Sequence, residues 1–182
     1  DMYKVDARLG TNEDYQKLVE KCHSRGIKMI QDFVFNHVSS EHPWMFDPPS
    51  KDFFYYYGKF IQTQNDLTTA FSPYASEYDK EILTKGWFVE SMPDLNQRNL
   101  YLSRYLVQTS IFWIEYADID GIRMDTYPYA FSEFMSSWAK EVTDQYPDFN
   151  IVGETFRTNS AAVSFWQMGS KYNLNNTYLK SV

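Results

Sequence analysis

Arg123 and Asp125 share the stretch DGIRMDTYPY, and Glu154 follows later in GETF. Two carboxylates with a cation beside one of them form a set that can do nucleophilic and acid–base chemistry. A guanidinium next to a carboxylate favours its charged form. A Glu able to hold a proton nearby would complete the pair used in glycoside hydrolysis. One carboxylate attacks the anomeric carbon and the other protonates the leaving oxygen, and a separation of about 5–5.5 Å marks retention of configuration. Asp32, Asn36 and His37 are further polar groups in an apolar run, DFVFNH. Taken one at a time, each has a plainer explanation. Arg123–Asp125 can be a buried ion pair, Glu154 a helix-cap carboxylate, His37 a hydrogen-bonded core histidine and Asn36 a strand end.

The elements that hold these residues decide whether they meet. TNEDYQKLVEKCHSRG reads as an amphipathic helix, with Tyr15, Leu18, Val19 and Cys22 at helical spacing. Thr11 and Asp14 resemble a capping box, Gly26 a C-terminal stop, and Cys22 a buried small residue. Ile27–Val38 is continuously apolar apart from its charged and amide groups, as in a strand buried on both faces. NLYLSRYLVQTSIFWIEYADI returns to helix, DGIRMD is the next strand, and SEFMSSWAKEVTDQYP is a helix with Ser132 as its expected N-cap. NIVGETF is a third strand, and a further helix follows with Asn159 or Ser160 at its start. Alternating strands and helices imply a parallel sheet in an α/β fold, either a doubly wound sheet or a (β/α)8 barrel. No Gly-rich phosphate fingerprint follows any strand, which disfavours dinucleotide binding. In a parallel sheet the C-terminal strand ends all lie on one side, where barrel enzymes build their active sites. Asp32, Asn36, His37, Arg123, Asp125 and Glu154 all lie toward or beyond those ends.

Between Ser39 and about Arg98 the periodicity breaks, with prolines at 43, 48, 49, 73 and 93. So long a structureless loop is uncommon in a compact domain, so a small inserted subdomain of short strands and loops is expected there. The predicted organisation is residues 1–38 as a first α/β segment, 39–98 as the insertion and 99–182 as a second α/β segment.

Composition narrows the classes. The net charge of −7 is the wrong sign for a nucleic-acid binder. No apolar run approaches the roughly 20 residues of a membrane span. The single cysteine rules out an internal disulfide, and no Cys/His spacing suits zinc. Aromatic residues make up 19% of the chain, which suits sugar stacking but also core packing. Phe53, Phe54, Tyr55 and Trp87 are read as core ahead of sugar platforms.

At this level the chain resembles the α-amylase superfamily, glycoside hydrolase family 13. DFVFNH (Asp32–His37), GIRMD (Gly121–Asp125), GETF (Gly153–Phe156) and MPDLN (Met92–Asn96) resemble its first, second, third and fifth signatures, in order and in register. The insertion sits where the family keeps domain B. MPDLN and DTYPY look most like the neopullulanase, cyclomaltodextrinase and maltogenic amylase branch. The resemblance implies a retaining hydrolase of α-1,4-glucans, including starch, maltooligosaccharides, cyclodextrins and pullulan. It implies Asp125 as nucleophile and Glu154 as general acid and then base. Arg123 would hold Asp125 ionised, with His37 and Tyr127 at the sugar and Asp32 mainly tying strand ends. An α-1,6-glucosidase, a glucan transferase and a non-catalytic carbohydrate-binding relative are the alternatives.

The resemblance requires no cofactor. Many α-amylases carry a Lys-His pair, serving a sugar subsite and a calcium site, where this chain has Pro128 and Tyr129. Asn36 remains one candidate calcium ligand, but calcium takes six to eight oxygens and no such set is found. The fourth signature's His-Asp pair, with the third catalytic carboxylate, is absent from the chain. A whole barrel usually takes about 250 residues, so the expectation is strands three to five of a larger barrel plus domain B, inactive alone. Such a slice should pair with the remainder of the barrel, or with itself, through open sheet edges. The resemblance also implies a bacterial periplasmic or extracellular protein whose export signal would lie upstream.

Overall fold

The computed structural model describes residues 1–157 and 160–168. Helices and strands alternate as the periodicity predicts: α1 (Asn12–His23), β1 (Ile30–Phe33), α2 (Glu77–Lys85), α3 (Leu100–Ala117), β2 (Gly121–Met124), α4 (Ser132–Gln145), β3 (Asn150–Gly153) and α5 (Ser160–Met168). The capping box at α1 forms. Thr11 accepts from the Asp14 N–H, and the Asp14 carboxylate accepts from the Thr11 N–H at 3.1 Å. Beyond α1, Gly26 takes a φ of +73°, which lets the chain reverse into β1. Two details differ from expectation. Cys22 is only half-buried. Phe131, not Ser132, occupies the N-cap of α4, and the Ser132 hydroxyl turns to the Glu133 carboxylate at 2.9 Å. Asn159 lies outside the described residues.

The strands form one parallel sheet in the order β1-β2-β3. The register sets Asp32 opposite Arg123, and Arg123 opposite Val152. At the start of β2 the backbones come so close that a Cβ on Gly121 would lie 2.9 Å from the Asn150 carbonyl oxygen. Strand side chains alternate between faces. Phe33, Ile122, Met124 and Ile151 point to one face and are buried with Leu102, Leu106 and Trp113 of α3 and Phe134, Met135 and Trp138 of α4. The Trp138 indole N–H donates to Ser110 Oγ at 2.8 Å, so the two helices are joined by a satisfied polar contact inside the core. The other face carries Ile30, Asp32, Arg123, Val152 and, past the strand end, Asp125 and Glu154.

The first strand is shorter than the apolar run suggests and is not buried on both faces. Ile30 is 57% exposed. After Phe33 the backbone leaves the sheet. The Asn36 carbonyl accepts from the Leu95 N–H, and the Val38 N–H donates to the Pro93 carbonyl. The rest of the apolar run is therefore committed to the returning segment 93–95.

Residues 39–98 carry no regular strand. Three 3-10 turns (Pro43–Met45, Lys51–Phe53, Leu67–Ala70), α2 and isolated bridges at His37–Asp94, Phe54–Leu95 and Gln62–Trp87 stand where short strands were expected. Phe53, Phe54, Tyr55 and Trp87 are all buried, as packing predicts. Phe53, Phe54 and Leu95 join the main core, whereas Leu67, Ile82, Leu83 and Trp87 are buried outside it. Among the described residues no helix is long and apolar enough to cross a membrane.

Candidate active site

Arg123 is the centre of the open face. Its Nη1 donates to both oxygens of Asp32 at 2.9 Å and to Asp125 Oδ1 at 2.7 Å. Its Nη2 lies 2.8 Å from Glu154 Oε1. One guanidinium thus bridges carboxylates contributed by all three strands. The strand register dictates this. Asp125 N–H donates to the Phe33 carbonyl and Glu154 N–H to the Met124 carbonyl, each at 2.8 Å, so the ladder runs one residue past β2 and β3. That extension sets Asp125 and Glu154 side by side on one face, within the span of the guanidinium. The hydrogen bonds to Asp32, then the bond to Asp125 and the Asp32 and Glu154 charges, push Arg123 above its usual pKa against the opposing effect of burial.

Glu154 has a second donor. The Thr126 N–H reaches its Oε2 at 3.0 Å. Thr126 adopts a left-handed backbone, φ 48° and ψ 32°, which is uncommon for a β-branched residue. That conformation turns the chain directly after Asp125 and aims the amide at Glu154. The Thr126 hydroxyl is buried with no partner. Nothing in the residue types announced this turn, because Thr is a poor choice for positive φ on propensity alone.

His37 is half-buried with its ring edge-on to Phe88, 5.7 Å between centroids. Burial pulls its pKa below the usual value, and the Asp125 charge opposes that shift. Phe88 in turn meets Tyr129 edge-on at 4.8 Å. Tyr127, the tyrosine expected at the sugar, is only 4% exposed and belongs to the core. Tyr129 is the half-open tyrosine of that turn, and burial raises its pKa.

Asn36 is fully enclosed beside Asp94 of MPDLN, its Nδ2 donating to Asp94 Oδ1 at 2.6 Å. Burial pushes the Asp94 carboxyl well above the usual carboxylate range, while the Asn36 hydrogen bond opposes that shift. Asn36 Oδ1 and Asp94 Oδ2 are buried without partners. These two side chains supply far fewer oxygens than calcium requires, and no group of three metal-capable His, Cys, Asp or Glu side chains occurs among the described residues. The same pair does tie the end of the β1 segment to the returning end of the insertion.

The α-amylase catalytic-domain profile matches residues 1–180 of the chain. The chain belongs to the α-amylase catalytic-domain family. An oligo-1,6-glucosidase of Heyndrickxia coagulans is 35% identical over 138 residues, covering 69% of this chain and 24% of that protein. A maltogenic α-amylase of Bacillus acidopullulyticus is 32% identical over 154 residues, covering 85% and 25%. The chain thus spans about a quarter of the length of these curated relatives. Among solved structures, the α-amylase of Geobacillus thermoleovorans in complex with acarbose superposes with a TM-score of 0.77 at 34% identity, covering 93% of this chain and 35% of that one. An Anoxybacillus α-amylase gives a TM-score of 0.79 at 32% identity, covering 95% and 34%. The three strands of this α-amylase segment are accordingly part of a (β/α)8 barrel, and the open face of the sheet is the one that carries Arg123.

Proposed function

We propose that this segment supplies the nucleophile and the acid–base of a retaining glycosidase acting on α-glucans. Asp125 is the nucleophile, Glu154 the general acid and then base, and Arg123 the group that aims both. His37 meets the sugar on the Asp125 side, and Asp32 anchors Arg123. The observation that carries this reading is the single guanidinium shared by Asp32, Asp125 and Glu154 at the C-terminal ends of three adjacent strands. In this arrangement Glu154 Oε2 accepts a hydrogen bond from the Thr126 N–H, and Oε1 is ion-paired with the Arg123 guanidinium. That is the geometry of the carboxylate that takes a proton from water in the second half of the reaction. To donate to a leaving oxygen in the first half, Glu154 must carry a proton and give up Thr126 or Arg123.

The substrates read from the resemblance are α-1,4-linked glucans. The oligo-1,6-glucosidase relative favours α-1,6-linked oligosaccharides as a second reading. We read residues 39–98 as the domain B insertion and the flanking residues as barrel. The third carboxylate of the superfamily has no counterpart in this chain, so the segment by itself is expected to turn over no glycoside. The deciding experiment uses the full-length enzyme that contains this segment. Products from cyclodextrin, pullulan and soluble starch are compared between wild type and Asp125→Asn. Maltose or panose in the wild type, lost in the variant by about 10⁴-fold or more, is the expected result. Equal activity in the two proteins would remove Asp125 from the nucleophile role. Activity on α-1,6-oligosaccharides alone would decide for the second reading.

A further inference from the structure

We propose that the cavity between α2, the N-terminal half of α4 and α5 is a second sugar site, which takes a neutral mono- or disaccharide away from the catalytic face. The cavity holds about 370 Å³, within the range of small-molecule sites. None of Asp32, His37, Arg123, Asp125 and Glu154 lines it. One short turn parts the two places. Tyr127 lines the cavity, whereas Tyr129 meets Phe88, which in turn meets His37. The inference stands on the lining of the cavity and does not depend on the roles proposed for Asp125 and Glu154.

The lining offers the three kinds of group that hold a sugar. Aromatic surface comes from Phe131, Phe165 and Trp166, each half-buried. Phe165 and Trp166 stand edge-on at 5.0 Å, and Phe71 backs Phe165 at 4.9 Å. Donors come from three further points. Ser136 is only 4% exposed and borders the cavity, yet its hydroxyl has no hydrogen-bond partner among the described residues. The Trp166 indole N–H is likewise buried without a partner. A buried polar group left unpaired is costly, and ligand oxygens in the cavity would relieve both. The Arg98 guanidinium lies 4.1 Å from the centre of the Phe131 ring and gives one N–H to the Tyr55 hydroxyl at 3.2 Å. A guanidinium has five N–H groups, so donors remain. The acceptor is Glu133, whose Oε2 takes the Ser132 hydroxyl at 2.9 Å and whose Oε1 is open.

The charges select the class of ligand. Lys80 of the lining is paired with Glu77 at 2.8 Å. That leaves one guanidinium, Arg98, and one carboxylate, Glu133. An anion would be drawn by the first and repelled by the second. A neutral polyol accepts from Arg98, Ser136 and Trp166, donates to Glu133 and lays its C–H face on the rings.

The test titrates maltose calorimetrically into the full-length enzyme carrying Asp125→Asn, which keeps the probe intact. Adding Trp166→Leu is expected to weaken one binding event per chain by about tenfold, and adding Glu133→Gln by several-fold, at unchanged melting temperature. With Asp125 intact, both variants are expected to keep the wild-type kcat on soluble starch. Maltose isotherms unchanged within about twofold in Glu133→Gln overturn the site, even where Trp166→Leu fails to fold. A kcat that falls together with binding would also overturn it, because the substitutions would then be acting on the catalytic face. Inorganic phosphate displacing maltose from the affected event would overturn the neutral-sugar assignment in favour of an anion.

Discussion

The two faces of the three-stranded sheet are built from the same twelve strand residues and serve opposite ends. On the covered face Ile122, Met124 and Ile151 are within 1% of full burial. On the open face Ile30 is largely exposed and Arg123 gathers three carboxylates. Close packing holds the first face together and charge pairing holds the second. The lesson is that stability and chemistry alternate residue by residue along one strand, so neighbouring positions answer to different physics.

Three substitutions in the full-length enzyme test that division, the largest expected effect first. Trp138 sits under the covered face with no exposure and a bonded indole. Trp138→Ala is expected to lower the unfolding free energy by about 3–5 kcal/mol, read by denaturant titration, while the protein that remains folded keeps its kcat. A loss of kcat without a loss of stability would break the division from the covered side. On the open face, Arg123→Lys replaces a planar fork by a point charge that cannot bridge three carboxylates. Turnover is expected to drop by about 10²–10³-fold, with a far smaller change in stability. Steady-state kinetics beside a melting curve decides it, and a variant with near-normal turnover would show that Asp125 and Glu154 are aimed by something else. Ile30→Ala sharpens the comparison. If the rest of the barrel covers the open face, the substitution costs about 2 kcal/mol or more. A change within about 0.5 kcal/mol would mean that the face stays open in the whole protein.

Much of this was legible in the sequence, for definite reasons. Period-3.6 and continuous apolar runs located α1, α3, α4 and the three strands, and the shared polarity of parallel strands brought Asp32, Arg123, Asp125 and Glu154 to one end. The residue roles and the bounds of the insertion come from the family resemblance and stand as proposals. What stayed hidden depends on long-range partners. The length of β1 is set by segment 93–95, which captures the backbone after Phe33. The insertion has no period because its contacts are single bridges and 3-10 turns. Tyr127 and Tyr129 look alike as letters, and only the turn at Thr126 sends one into the core and leaves the other half-open against Phe88.

The three-way pairing at Arg123 has a consequence for folding fidelity. Sheet side chains alternate with a period of two, so a slip of one residue in β1 would swing Asp32 toward the helices and bring Phe33 to the open side. A slip in β3 would do the same to Glu154. Each error would strand a carboxylate in an apolar layer and leave the guanidinium short of partners, penalties that packing alone could not offset. The charge constellation therefore acts as a checksum on strand registration: a barrel able to assemble its charges has, by that fact, aligned its strands.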